Sequence, residues 1–243
     1  MRLTPLHDRT SALGARYVEL VGWRVPEAYV DVDNEIAQAR AGVVLGDDSA
    51  KGRLLAQSAG IDDHLLRRLI DPPELPVGAG QRLGGSIGDQ AGGDRVADTG
   101  ECWIYRLRAD MVFVSTPPGG EGAMVARLQA AADSGASGLT TITDITDGRA
   151  EIRIVGPASA QLLSKVCALD FDDEVFSDGE AAQTSLAKTR QLILRRDVGS
   201  LPAYSIIGRR SLGAYVWSIL EEAGGEWGIG PIGLSGLSRL VGD

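Results

Sequence analysis

Residues 144–171 read DITDGRAEIRIVGPASAQLLSKVCALDF, and this stretch decides the fold class. Residues 151–155 alternate charged and apolar side chains, the period-two signature of a strand with one buried face. Gly156-Pro157 ends that strand, because proline has no N–H for the ladder and glycine tolerates a sharp turn. Residues 158–166 then place Leu162, Leu163 and Val166 at helical spacing. An acidic loop over 170–173 follows. The unit is strand, Gly-Pro turn, amphipathic helix, and it contains neither a nucleophile nor a set of metal ligands.

Working outward, a weaker echo lies upstream. Residues 53–57 predict a strand, Gly60 a turn, Asp62 an N-cap, and Leu65, Leu66, Leu69 and Ile70 the inward face of a helix that Pro72-Pro73 stops. Further on, 102–107 and 111–115 predict a hairpin across 108–110, and Met124, Val125, Leu128 and Ala132 mark a helix. Residues 189–194 and 203–207 predict strands, and Ser211 is expected to cap a helix carrying Leu212, Tyr215, Val216, Ile219, Leu220 and Ala223 on one face. Near the start, 15–21 predicts a strand, 22–26 a turn, and Asp31 or Asp33 the cap of a helix ending near Ala41. Two rounds of strand–helix–strand–strand–helix–strand point to an α+β protein with antiparallel sheets.

Composition narrows the function classes. The 243 residues are 44% hydrophobic and 23% charged, as in an ordinary globular protein, and only 5% aromatic. A net charge of -9 opposes nucleic-acid binding, which rests on Lys and Arg neutralising phosphates. The two cysteines, Cys102 and Cys167, are far apart and suggest neither a disulfide framework nor zinc. The opening MRLTPLHDRT lacks an apolar leader, and no segment approaches the roughly 18 apolar residues of a membrane span. The expectation is a soluble, cytoplasmic protein with no membrane partner.

Catalytic motifs are sparse. Gly228-Ile-Gly-Pro-Ile-Gly233 matches GxGxxG but has no room downstream for the helix and acid of a dinucleotide site. His7 and His64 are the only histidines, so a histidine relay has little to draw on. The His7-Asp8 pair beside a proline reads as a surface loop. Residues 78–100 are glycine-rich and carry Asp94 and Asp98, with Glu101 just beyond. They read as an acidic loop or as backbone left bare for a ligand. Any chemistry must rest on a carboxylate and a bound cofactor.

Several stretches together resemble the folate-binding superfamily of the glycine-cleavage T-protein (aminomethyltransferase), the gamma subunit of heterotetrameric sarcosine oxidase and the T-protein-like iron–sulfur maintenance proteins. The opening TPLHDRTSALGARYVELVGWRVPEAY and the closing WGIGPIGLSGLSRL are T-protein-like. Residues 144–171, AAQTSLAKTRQLILRR and GRRSLGAYVWSILEEAG look most like the gamma subunit. The resemblance implies a single folate-binding unit over 1–243, built of two interleaved α/β-plait-like lobes, 1–49 with 142–230 and 50–141 with 231–243. It also implies tetrahydrofolate as cofactor, with a lipoyl-carrier protein or flavin oxidase subunits as partners. AGGDRVAD resembles the T-protein segment whose aspartate lies near the reactive nitrogens of folate, which puts Asp98 in that role; if the extra length of the following hairpin falls before Gly93, Glu101 takes it. Trp103 and Tyr105 are candidates for the pterin face, although both also fit a plain half-buried strand. Tyr29, Tyr204 and Arg239 fall in stretches that line or close the family's cavity. Three departures stand out. The acidic YTGE-type segment is replaced by VGSLPAYSI, the KGCYxGQE-like motif is missing, and a T-protein's C-terminal barrel-like domain is expected to be absent.

Overall fold

The computed structural model describes residues 1–58, 63–71, 73–83, 101–133 and 139–242. The chain divides into two compact units, 1–50 with 147–243 and 51–146. Both are mixed α/β.

The first unit opens with β1 (Arg2–Leu3), α1 (His7–Ala12), β2 (Arg16–Leu20), β3 (Trp23–Ala28), α2 (Val32–Ala41) and β4 (Val44–Asp47). A small sheet of order β1-β3-β2 forms here. The turn expected over 22–26 is instead a strand: the reversal needs only Val21 and Gly22, both at positive φ, and β3 begins at Trp23. Pro26 is tolerated in β3 because the β2–β3 register slips between Arg16 and Tyr17, leaving Glu27 without a partner on β2 beside it. Asp31, not Asp33, caps α2, its Oδ1 accepting the Asp33 N–H at 3.2 Å.

The second unit contains β5 (Gly52–Ser58), α3 (Asp63–Leu69), β6 (Gly80–Leu83), β7 (Cys102–Arg108), β8 (Met111–Thr116), α4 (Glu121–Asp133) and β9 (Thr140–Asp144). They form one antiparallel sheet of order β6-β7-β8-β5-β9. Strand alternation sorts its two faces. Leu54, Ala56, Cys102, Ile104, Val112 and Val114 pack with Leu65, Leu66, Leu69, Met124 and Leu128 of the two helices. Arg53, Tyr105 and Phe113 lie on the opposite face and are fully buried. Gly60, Asp62, Asp94, Asp98 and the side chain of His64 lie outside the described residues.

The chain then returns to the first unit with β10 (Arg149–Val155), α5 (Ser159–Val166), β11 (Ala181–Leu186), β12 (Thr189–Arg195), β13 (Ala203–Arg209), α6 (Gly213–Gly224), β14 (Gly230–Ile232) and α7 (Leu234–Val241). With β4 they make a sheet of order β11-β12-β13-β10-β4-β14. The strand–turn–helix of 151–166 forms as its pattern dictates. Gly156 sits at φ +132°, and a Cβ there would stand 2.3 Å from the Gly42 carbonyl oxygen, so the turn admits only glycine. Ile152, Ile154, Leu162, Leu163, Val216, Trp217 and Leu220 fill the core between the sheet and α5 and α6. Ile36, Ala39, Val44, Val155, Ile232 and Leu240 form a second cluster with α2 and α7.

Two expectations need correction. Ser211 does not cap α6; it lies in a 3-10 turn, Arg210–Leu212, and the N-cap is Leu212 with no side-chain bond. The resemblance implies that residues 231–243 join the second lobe, yet β14 pairs in parallel with β4 and α7 packs on α2, so 231–242 belong to the first unit. Among the described residues no helix is long and apolar enough to cross a membrane.

Candidate functional site

In the first unit, three elements meet at a buried carboxylate that the sequence reading did not single out. Glu35 is 5% exposed, on the inward side of α2 with Ile36 and Ala39. Its Oε1 accepts the Tyr29 N–H at 2.6 Å and its Oε2 the Gly233 N–H at 2.8 Å. One side chain therefore fixes the exit of β3 and the entry to α7. Gly233 is required at that entry, since a Cβ would stand 2.3 Å from the Glu27 carbonyl oxygen. The GxGxxG match is thus a packing feature of β14 and α7.

Tyr29 and Asp47 carry buried polar atoms in the same unit. The Tyr29 Oη is closed off from water and has no hydrogen-bond partner among the described residues. Burial, and then the negative charge of Asp47, holds its phenol well above the usual tyrosine range. Asp47 closes β4, and its Oδ1 accepts the Ser49 N–H at 3.0 Å. Parts of Asp47 reach solvent, but its Oδ2 is closed off and unpartnered. Burial raises the carboxyl, with the Ser49 hydroxyl opposing in smaller measure. The Thr4 hydroxyl stands near Asp47 without meeting hydrogen-bond geometry. The Tyr29 phenol and the Asp47 carboxyl present polar atoms which a bound ligand's polar edge would satisfy.

The other first-unit candidates sit elsewhere. Tyr204 is fully buried in the aromatic core, edge-on to Phe171 at 5.6 Å and stacked with Phe176 at 6.3 Å. Its phenol is pushed up to about 12, chiefly by burial, with the Arg195 guanidinium opposing. That guanidinium bonds the Phe176 carbonyl at 2.6 Å and Asp197 at 3.2 Å, clamping the loop before β11. The charged neighbours of Tyr204 are Arg195, Asp197 and Asp173, none of them shared with Tyr29. Arg239 is exposed on α7 and pairs with Asp33 of α2 at 2.7 Å.

In the second unit, Glu101, Trp103 and Tyr105 lie at alternate positions at the start of β7, which turns Trp103 and Tyr105 to one face of the sheet. Their rings stack with centroids 6.0 Å apart, and Tyr105 continues to Phe113 at 6.3 Å. Glu101 pairs with Arg82 at 2.7 Å and accepts from the Trp103 indole at 3.4 Å. Arg82 stands directly opposite Trp103 in the β6–β7 ladder, so the carboxylate is held at the indole N–H edge of the half-buried Trp103. Asp98, the preferred acid, lies outside the described residues. No cluster of three or more His, Cys, Asp or Glu suited to a metal occurs among the described residues.

Glu35 and Asp47 escaped the sequence reading for different reasons. Glu35 falls on the inward stripe of α2 among apolar residues, a signal of a partnered buried acid. Asp47-Asp48-Ser49 has the spacing of an Asx turn, which alone indicates local structure.

Comparison with known proteins gives consistent results. The sequence family described as GCVT N-terminal domain matches residues 6–240. The aminomethyltransferase of Saccharopolyspora erythraea is 25% identical over 235 residues, 96% of this chain and 61% of that protein. That of Halothermothrix orenii is 24% identical, covering 99% of this chain and 64% of its own length. The chain thus spans about three fifths of the length of these curated relatives. Among solved structures, the glycine cleavage system aminomethyltransferase T from Bartonella henselae superposes with a TM-score of 0.79 at 18% identity, over 99% of this chain and 62% of that one. A chain of the heterotetrameric sarcosine oxidase from Corynebacterium sp. U-96 in complex with pyrrole 2-carboxylate gives 0.62 at 20% identity, over 93% and 96%. At these identities the two structures show a common fold.

Proposed function

The chain belongs to the GCVT N-terminal domain family, and on that premise we propose that it is a tetrahydrofolate-binding, aminomethyltransferase-like protein of one-carbon metabolism. The supporting observation is the pair of buried, unpartnered polar atoms, Tyr29 Oη and Asp47 Oδ2, within a chain whose family match runs almost end to end. A pterin carries ring nitrogens and an exocyclic amine and carbonyl along one edge, which fits such a pair. We read the two sheets as the plait-like lobes of the folate-binding fold.

Bound tetrahydrofolate would supply the nitrogens that accept the one-carbon unit. The chain's own residues bind, orient and manage charge. Asp98, or Glu101 in its place, is the proposed acid/base or electrostatic partner for a developing ammonium or iminium. Trp103 offers a ring face, with Tyr105 stacked behind it. Tyr29, Tyr204 and Arg239 complete the proposed cofactor set, Arg239 through a folate carboxylate if it leaves Asp33. The aminomethyl donor would arrive on a lipoyl-carrier protein. The test is formation of methylenetetrahydrofolate from such a loaded carrier; turnover above background supports the enzyme, and its absence with an intact fold opposes it.

A second reading has one specific observation in its favour. The fold likeness to a chain of sarcosine oxidase runs over 93% of this chain and 96% of that one. On this reading the protein is a non-catalytic, gamma-type subunit of a flavin-dependent sarcosine or dimethylglycine oxidase. Stable co-purification with flavin-bearing subunits, without methylene transfer, would favour it.

A further inference from the structure

The first turn of α2 carries two acids in different surroundings. Asp33 is exposed and meets Arg239 of α7 at 2.7 Å. Glu35 is buried, and each of its oxygens accepts one backbone N–H, from Tyr29 and from Gly233. A carboxylate removed from water is costly unless its oxygens are bonded, and these are bonded to two separate elements. The start of α2 therefore holds α7 twice, at its entry through Glu35 and near its end through Asp33.

The α7 helix is shaped to receive that carboxylate. A Cβ at Gly233 would stand 2.6 Å from the Ala28 amide nitrogen, so the helix enters directly against the end of β3. A Cβ at Gly236 would crowd the Ile232 side chain and stand 3.2 Å from the Glu35 Oε2. Glu35 also acts on the Tyr29 ring. After burial, Asp47 and Tyr17, its charge helps to hold the phenol above the usual tyrosine range, so the hydroxyl keeps its proton and can donate. A change at Glu35 thus disturbs Tyr29 and the seat of α7 together.

We propose that Glu35 is a positioning residue of the folate site, setting Tyr29 and the Arg239-bearing α7 as one unit. The ligand in this proposal rests on the folate reading above; the coupling of Tyr29 to α7 rests on the geometry alone. Glu35, with both oxygens bonded to backbone, would act through Tyr29 and Arg239 without touching the ligand.

The test compares variants of Glu35 with Gly14→Ala, which carries backbone strain in the turn between α1 and β2. Amide hydrogen exchange, followed by NMR without ligand, reads the coupling. Glu35→Ala removes both acceptors and should quicken exchange at Tyr29 and Gly233 alike, by about tenfold or more relative to Ile152 in β10. Glu35→Gln, the milder change, keeps one acceptor and should quicken at least one of the two; Gly14→Ala should favour neither. Calorimetry with tetrahydrofolate, below the melting transition of every variant, reads the site. Glu35→Gln should weaken binding about tenfold or more, and Gly14→Ala should leave it within about twofold. In a Tyr29→Phe background the loss from Glu35→Gln should shrink, whereas a purely structural role gives additive losses. No binding by the wild type defeats the folate reading and with it the ligand named here, while exchange still decides whether Glu35 couples the two elements. Unchanged exchange at both amides, tetrahydrofolate binding that Glu35→Gln leaves intact, or additive losses would each overturn the proposal.

Discussion

Glu35 accepts the backbone N–H of Gly233 across 198 positions of sequence, at 2.8 Å, while its other oxygen holds Tyr29. A single buried carboxylate therefore ties the exit of β3 to the entry of α7. Replacing it with glutamine leaves one acceptor and turns an amide donor toward a backbone donor. The expected cost is about 1–3 kcal/mol, read as a lower urea midpoint at unchanged slope. An unchanged midpoint would mean that Glu35 does not serve both amides.

Gly156 and Gly14 give a paired test of backbone strain. Both have positive φ, but a Cβ at Gly156 meets the Gly42 and Ala39 carbonyl oxygens at 2.3 and 2.6 Å, whereas at Gly14 nothing lies within 4 Å. Gly14→Ala should cost about 1 kcal/mol from φ alone. Gly156→Ala should cost several-fold more and lower the yield of folded protein. Similar melting temperatures for the two variants would contradict the close packing of the β10–α5 turn on α2.

Asp47 predicts a pH dependence with a definite sign. Burial raises its folded-state pKa above the unfolded value, so the folded state holds the proton more tightly. That contribution to stability is full below about pH 4, the unfolded value, and is lost as pH rises through the folded pKa. Asp47→Asn keeps an oxygen for the Ser49 amide and has nothing to titrate. Its stability relative to wild type should rise from pH 4 to pH 7, by about 2–4 °C in Tm for each kcal/mol at this chain length. A constant difference across that window would show that Asp47 ionises freely.

The cysteines are expected to be inert in the native protein. Cys102 is 2% exposed and its thiol is pushed up to about 11, chiefly by burial, with Arg127 opposing; Cys167 is 7% exposed. Ellman's reagent at pH 8 should label neither until denaturant is added. Rapid labelling of native protein would place a thiol at the surface.

Local patterns carried most of the fold. The strand over 149–155, the turn at Gly156 and the helix over 159–166 follow from alternation, a glycine-proline break and leucine spacing, all written within a few residues. The reading failed where local signals were ambiguous. Gly22 and Pro26 both favour turns, yet Val21-Gly22 alone reverses the chain and a register slip accommodates Pro26 within β3. Ser211 suits a helix cap, but the 3-10 turn before α6 already occupies that place. The short strand β14 is defined only by its pairing with β4, far away in sequence. The buried polar groups show the same limit: Glu35 and Asp47 owe their surroundings to partners that folding brings to them from distant sequence, which no local pattern announces.

The central claim is a folate site, and the most direct measurement is calorimetric titration of the chain with tetrahydrofolate, with Asp98→Asn and Tyr29→Phe alongside. The account predicts binding with a dissociation constant in the micromolar range, about −8 kcal/mol, weakened by both substitutions at an unchanged melting temperature. No heat of binding from the folded wild-type chain would contradict it.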